Sequence, residues 1–68
     1  MEVVKITRKN LEKYYNRVDG NIWYREKSDN DFQISEGFSI EEHYNALSFG
    51  IEMIFISVNW GKRGNVGE

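Results

Sequence analysis

The chain contains a single histidine, His43, and two acidic residues, Glu41 and Glu42, directly precede it. A histidine beside carboxylates can serve as a general base. On a helix, however, residues one or two positions apart do not share a face. Ser39 has a role as a helix cap, and the chain has no cysteine to act as a nucleophile. The sequence therefore predicts no catalytic residues, and we expect the protein not to be an enzyme.

Residues 28–31, with the sequence Ser-Asp-Asn-Asp, resemble the start of a calcium-binding loop. Such a loop needs glycine at its sixth position and glutamate at its twelfth, because the turn and the bidentate ligand depend on them. Counted from Asp29, those positions hold Ile34 and Ile40. We therefore predict no metal site and no cofactor, and interpret the segment as an acidic turn between strands.

Basic residues recur at regular spacing in two parts of the chain, and in the second part an aromatic residue joins them. One group recurs every fourth residue along a predicted helix, which would form a basic stripe. The other occupies alternate positions of a predicted strand, where an open sheet face could stack single-stranded bases. Lys5, and either Ile54 or Phe55, could join that face. The alternative hypothesis of nucleic-acid binding rests on Lys9, Lys13, Arg17, Trp23, Arg25 and Lys27.

Charge is distributed unevenly along the chain. Residues 1–27 contain seven Lys or Arg and four Asp or Glu, a sum of +3, whereas residues 28–61 contain six acidic residues and no Lys or Arg, a sum of −6. The two halves could simply neutralise each other across one surface. They could also provide an acidic surface for the basic groove of a nucleic-acid-handling enzyme. The acidic residues assigned to that surface are Asp29, Asp31, Glu36 and Glu41.

The first half of the chain has three predicted elements. Residues 2–7 are rich in β-branched side chains, which favours a strand. Apolar residues from Leu11 to Val18 recur at helical spacing, and Gly20 is a typical helix stop. Residues 21–35 alternate around a four-residue turn, which predicts a β-hairpin.

The second half predicts a helix and a strand. Ser39 and Glu42 have the spacing of a capping box, so a helix should begin at Ser39 and end near Gly50. Residues 51–60 form the most apolar stretch, a strand. The order β-α-β-β-α-β predicts an α+β fold, a single-layer antiparallel sheet with two helices on one face, compatible with a ferredoxin-like topology. In that topology the last strand lies at the sheet edge.

The last predicted strand has apolar residues on both faces. Positions 54, 56 and 58 form the larger set, which we expect to face the helices. The other face would be exposed unless a partner covers it, and the edge of the strand would invite strand addition. The residues expected to contact a protein partner here are Met53, Phe55 and Trp60.

Length and composition limit the remaining possibilities. The 68 residues predict one small domain over residues 1–61 and a flexible glycine-rich tail over residues 62–68. The absence of cysteine, of a signal peptide and of a long apolar stretch favours a cytoplasmic protein that does not enter the membrane.

We expect a protein-binding module, an inhibitor or adaptor, whose partner is another protein or a second copy in a homodimer. Small size, high asparagine content and absent cysteine suggest a phage or mobile-element origin. A single-stranded nucleic-acid-binding domain is the alternative.

Overall fold

The computed structural model describes residues 2–57, which form a four-stranded antiparallel sheet with two helices packed on one face. This confirms the predicted α+β class and the predicted order of elements. Trp60 and the predicted tail over residues 62–68 lie outside the described residues. The strands are β1 (Val3–Lys5), β2 (Gly20–Arg25), β3 (Gln33–Ile34) and β4 (Glu52–Ser57), and the helices are α1 (Leu11–Tyr15) and α2 (Ile40–Ser48).

The last strand, β4, lies inside the sheet. The strand order is β1-β4-β2-β3, and β4 pairs antiparallel with both β1 and β2. Phe55 faces Val4 on one side and Ile22 on the other. The order therefore differs from the ferredoxin-like one, and strand addition at β4 is excluded because both of its edges are already paired. A strand that is apolar on both faces is better shielded inside a sheet than at its edge.

The helix-facing side of β4 is the opposite of the one expected from the sequence. Met53 and Phe55 are buried, and they form the core with three further residues from other segments. Ile54 and Ile56 are half-buried on the other face. The prediction that Met53 and Phe55 contact a partner is therefore wrong, because neither side chain reaches the surface. The rest of the core comprises Ile6, Leu11 and Ile22.

Gly20 explains why the Phe55 ring fits inside. A Cβ atom at Gly20 would lie 2.3 Å from the Phe55 ring and 2.5 Å from the Ile56 carbonyl oxygen, so only glycine leaves room for the ring. Gly20 is the first residue of β2 and not a helix stop. The helix α1 ends earlier, at Tyr15, and Val18 is 97% exposed rather than part of an apolar face.

Helix α2 begins as its sequence predicts. The Ser39 hydroxyl accepts a hydrogen bond from the Glu42 amide at 3.1 Å, and the Glu42 carboxylate accepts one from the Ser39 amide at 2.7 Å. The side chains at positions 40, 44 and 47 pack against the core. The predicted hairpin of β2 and β3 is also present, although its loop is longer and covers residues 26–32. Neither described helix is long and apolar enough to cross a membrane.

Replacing Ser39 with alanine removes one half of this capping box. We expect Ser39→Ala to lower the free energy of unfolding by about 1 kcal/mol, as for other N-cap substitutions. Chemical denaturation of the variant and of Ser28→Ala, a change in an exposed turn, provides the measurement and its control. Equal stability of the two variants would contradict a stabilising cap at Ser39.

Lysine substitutions on the two faces of β4 should have different effects. Phe55→Lys should unfold the protein, because losing the ring costs about 3–5 kcal/mol and the buried charge costs more. A chain of this length has a total stability of only roughly 3–10 kcal/mol. Ile56→Lys should leave the chain folded, because its side chain is on the open face. Circular dichroism and thermal melting compare the two variants, and unfolding of both would contradict the assigned faces.

Candidate functional site

The face of the sheet opposite the helices carries a row of apolar side chains. None of the elements within residues 2–57 packs on it. The register aligns Lys5, Ile54, Trp23 and Ile34 in one row across the four strands. Trp23, Ile54 and Ile56 are half-buried, while Val3 is 50% and Ile34 is 39% exposed. This surface, the open sheet face, comprises Val3, Lys5, Asn21, Trp23, Arg25, Ile34, Glu52, Ile54 and Ile56.

Polar groups surround the apolar centre of the open sheet face. At one end, the Arg25 Nε donates a hydrogen bond to the Glu52 Oε1 at 2.9 Å, and the guanidinium lies 4.7 Å from the centre of the Phe32 ring. Lys5 and Asn21 are exposed. An apolar centre with a polar rim is the usual anatomy of a protein interface.

The sequence correctly predicts part of this surface. Trp23 and Arg25 face away from the helices, and Lys5 and Ile54 join them as expected. Lys27 is exposed in the loop that follows β2. Phe55 does not join this face, since it is buried on the helix side.

The basic stripe predicted on the first helix is not part of the open sheet face. Lys9 and Lys13 are exposed beside and on α1, which packs on the opposite side of the sheet. Arg17 follows α1, and its guanidinium covers the Phe55 ring at 4.8 Å. The six residues of the nucleic-acid hypothesis therefore lie on two sides of the sheet and do not form one surface.

Arg17 is further engaged by acidic groups. Its guanidinium makes a two-point salt bridge with Asp19 and lies 3.6 Å from the Glu2 carboxylate. The hydrogen bond to Asp19 raises the pKa of Arg17, and the same bond lowers the pKa of the Asp19 carboxyl below its ordinary value. The positive charge of Arg17 is thus largely compensated within the chain.

The acidic residues expected to form one surface are all exposed, but they belong to different segments. Asp29 and Asp31 lie in the loop before β3, whereas Glu36 and Glu41 follow that strand in a turn and in the first turn of α2. The two pairs thus flank β3 at its opposite ends. Glu41 also favours the start of α2, since negative charge stabilises a helix N-terminus.

The structure places a hydroxyl beside the histidine, which the sequence analysis did not find. His43 is 1% exposed, and its Nε2 lies 2.8 Å from the Ser35 hydroxyl. Its Nδ1 lies 2.7 Å from the Ser39 carbonyl oxygen. Because a carbonyl oxygen only accepts, Nδ1 carries a proton and donates it to the Ser39 carbonyl oxygen. The Ser35 hydroxyl donates its own hydrogen bond to the Ile22 carbonyl oxygen at 2.9 Å.

A serine and a histidine in this geometry could in principle exchange a proton during nucleophilic catalysis. Both residues are buried, however, and the hydroxyl is already bonded to the Ile22 carbonyl and to the His43 ring. An open cleft of about 480 Å³ adjoins the pair, and the Arg17 side chain in its lining is already bonded to Asp19. Within residues 2–57, every buried polar side-chain atom has a partner. We interpret the pair as a connection that holds the hairpin of β2 and β3 against α2.

In the described part of the chain, no group of His, Asp and Glu side chains is placed to hold a metal ion. Comparisons with protein-family models, with curated proteins and with solved structures find no match to this chain.

Removing the imidazole should test the structural role of the pair. His43→Leu removes the two buried hydrogen bonds of the ring, each worth about 1 kcal/mol, so we expect a loss of about 2 kcal/mol in the free energy of unfolding. The Ser39 carbonyl keeps the backbone N–H of residue 43 and the Ser35 hydroxyl keeps the Ile22 carbonyl as partners. Asn45→Leu makes the same replacement at an exposed position of α2 and should change stability by less than about 0.5 kcal/mol. Urea denaturation compares them. Equal effects of the two substitutions would show that the network contributes little.

Proposed function

We propose that this protein is a protein-binding module whose contact surface is the open sheet face. The observation that supports this most strongly is the continuous apolar row of Ile54, Trp23 and Ile34, with Ile56 and Val3 beside it. Extended apolar patches on small proteins commonly mark interaction sites. A partner that covers this row removes apolar side chains from water, and the hydrophobic effect supplies the free energy of binding.

The charges of the open sheet face favour a protein over a nucleic acid. Its two cations are Lys5 and Arg25, and Arg25 is already paired with Glu52. A nucleic acid gains most of its affinity from several phosphate contacts at once. One uncompensated lysine beside an apolar row is too little for that. Whether the binding inhibits a partner or joins two partners stays a prediction from the sequence.

Photo-crosslinking can test the proposal directly. A benzophenone amino acid replaces Val3 or Ile34, which are the most exposed apolar residues of the open sheet face, and replaces Val18 in a control variant. Val18 is 97% exposed and lies in the segment between α1 and β2. Irradiation in the producing cell should give adducts with a polypeptide from positions 3 and 34, identified by mass spectrometry.

The control position should not give the same adducts. If Val18 yields them equally, contact is not specific to the open sheet face. If positions 3 and 34 yield no adduct with any polypeptide, or yield adducts with nucleic acid, the proposal is wrong.

A further inference from the structure

On the open sheet face, two of the three residue pairs between the central strands β4 and β2 are complementary, whereas the third joins Asn21 to Ile56. The register pairs Glu52 with Arg25 and Ile54 with Trp23. Each pair joins one residue of β4 to one residue of β2, and each combines opposite charges or two apolar side chains. A second copy of the same face can therefore offer a matching residue at each of these positions.

A twofold axis that runs parallel to the strands, between β4 and β2, achieves this match. Rotation about that axis places β4 of one copy over β2 of the other and keeps each residue at the same height along the strands. Glu52 then faces the second copy's Arg25, and Ile54 faces its Trp23. Because the contact is isologous, each of these pairs occurs twice. Two sheets packed in this way adopt the aligned arrangement that their twist favours.

We propose that the open sheet face binds a second copy of this chain about this axis. The inference rests on the proposed function and names its partner. The charge pattern favours this occupant, because a face with one basic and one acidic position in the same row matches its own rotated copy. Arg25 and Glu52 would then form a four-charge cluster at the rim, where both side chains are already partly exposed.

The size of the face sets the expected strength of the dimer. With strands about 4.8 Å apart and about 3.3 Å per residue, four strands of six residues would cover roughly 19 Å by 20 Å. This is an upper limit, because β1 has only three residues and β3 only two. Stable interfaces bury about 800 Å² per partner, around twice this projected area. We therefore expect a weak, concentration-dependent dimer, and the measurement must extend from micromolar to millimolar concentrations.

Charge reversal provides a specific test in the full-length chain. In a dimer of Arg25→Glu, residue 25 of each chain faces the second copy's Glu52, so the dimer contains two pairs of like negative charges. In a dimer of Glu52→Arg, the two corresponding pairs are between arginines. Either variant alone should dimerise about tenfold more weakly than the wild type in sedimentation equilibrium, since two pairs change together. Lys9→Glu and Glu12→Arg change the net charge equally at exposed positions on the helix side of the sheet, and we expect both controls to dimerise like the wild type.

Mixing the two charge-reversal variants distinguishes the dimer from a folding defect. In a mixed dimer, residue 25 of each chain faces an opposite charge at position 52 of the other, although the pair within each chain stays repulsive. We expect an equimolar mixture to dimerise like the wild type. Continued weak association in the mixture, or wild-type association of either variant alone, would overturn the proposed axis.

If a single variant fails to fold, the proposed axis can be tested with a doubly substituted chain that carries Arg25→Glu and Glu52→Arg together. It restores the pair within the chain and should form dimers with itself, but mixed dimers with the wild type would face like charges. The wild type and the doubly substituted chain have the same composition and mass, so one of them is labelled with ¹⁵N. Native mass spectrometry of the mixture should then show the two chains sorting into separate dimers. Free exchange between them would contradict the inference.

The result also separates this inference from the proposed function. If the chain stays monomeric up to millimolar concentration but crosslinks to a different polypeptide from positions 3 and 34, the proposed dimer is wrong. The proposed role in protein binding is then supported. Absence of both self-association and crosslinks overturns both proposals.

Discussion

The fold depends on the burial of Phe55 against Gly20. The ring occupies the space that a side chain at Gly20 would fill, and it contacts the Tyr14 ring with centres 5.1 Å apart. Arg17 closes the outside of this contact with its guanidinium. Because neighbours along a strand point to opposite faces, burying Phe55 places Ile54 and Ile56 on the far side of the sheet. The apolar open sheet face is thus a direct consequence of how the core is filled.

The parts of the fold that follow from local signals could be predicted from the sequence. The capping box at Ser39 depends only on residues three positions apart, and the hairpin depends on alternation around a polar turn. The outward direction of Trp23 follows from the same alternation once Ile22 is assigned to the core. These features do not depend on how distant segments pack together. The α+β class follows from them, so it could also be predicted from the sequence.

The features that the sequence did not predict all depend on contacts between distant segments. A count of apolar residues assigned the face of Ile54 and Ile56 to the core. In the structure Phe55 is buried instead, because Gly20 leaves space for its ring. The position of β4 between β1 and β2 has no local signal. The contact of Ser35 with His43 was missed for a related reason: the two residues are separated by a turn and a helix start, so no regular spacing joins them.

The central position of β4 has a consequence for the order in which the chain can fold. In the described sheet, β1 pairs with β4 alone, although about fifty residues separate them along the chain. During synthesis, β1 is therefore made well before its partner, and of the described elements the two helices and the hairpin of β2 and β3 are the ones that can form from local contacts. Closure of so long a loop is entropically costly and slows the final step. Until β4 enters between β1 and β2, the inner edges of both strands remain open to pairing with other chains.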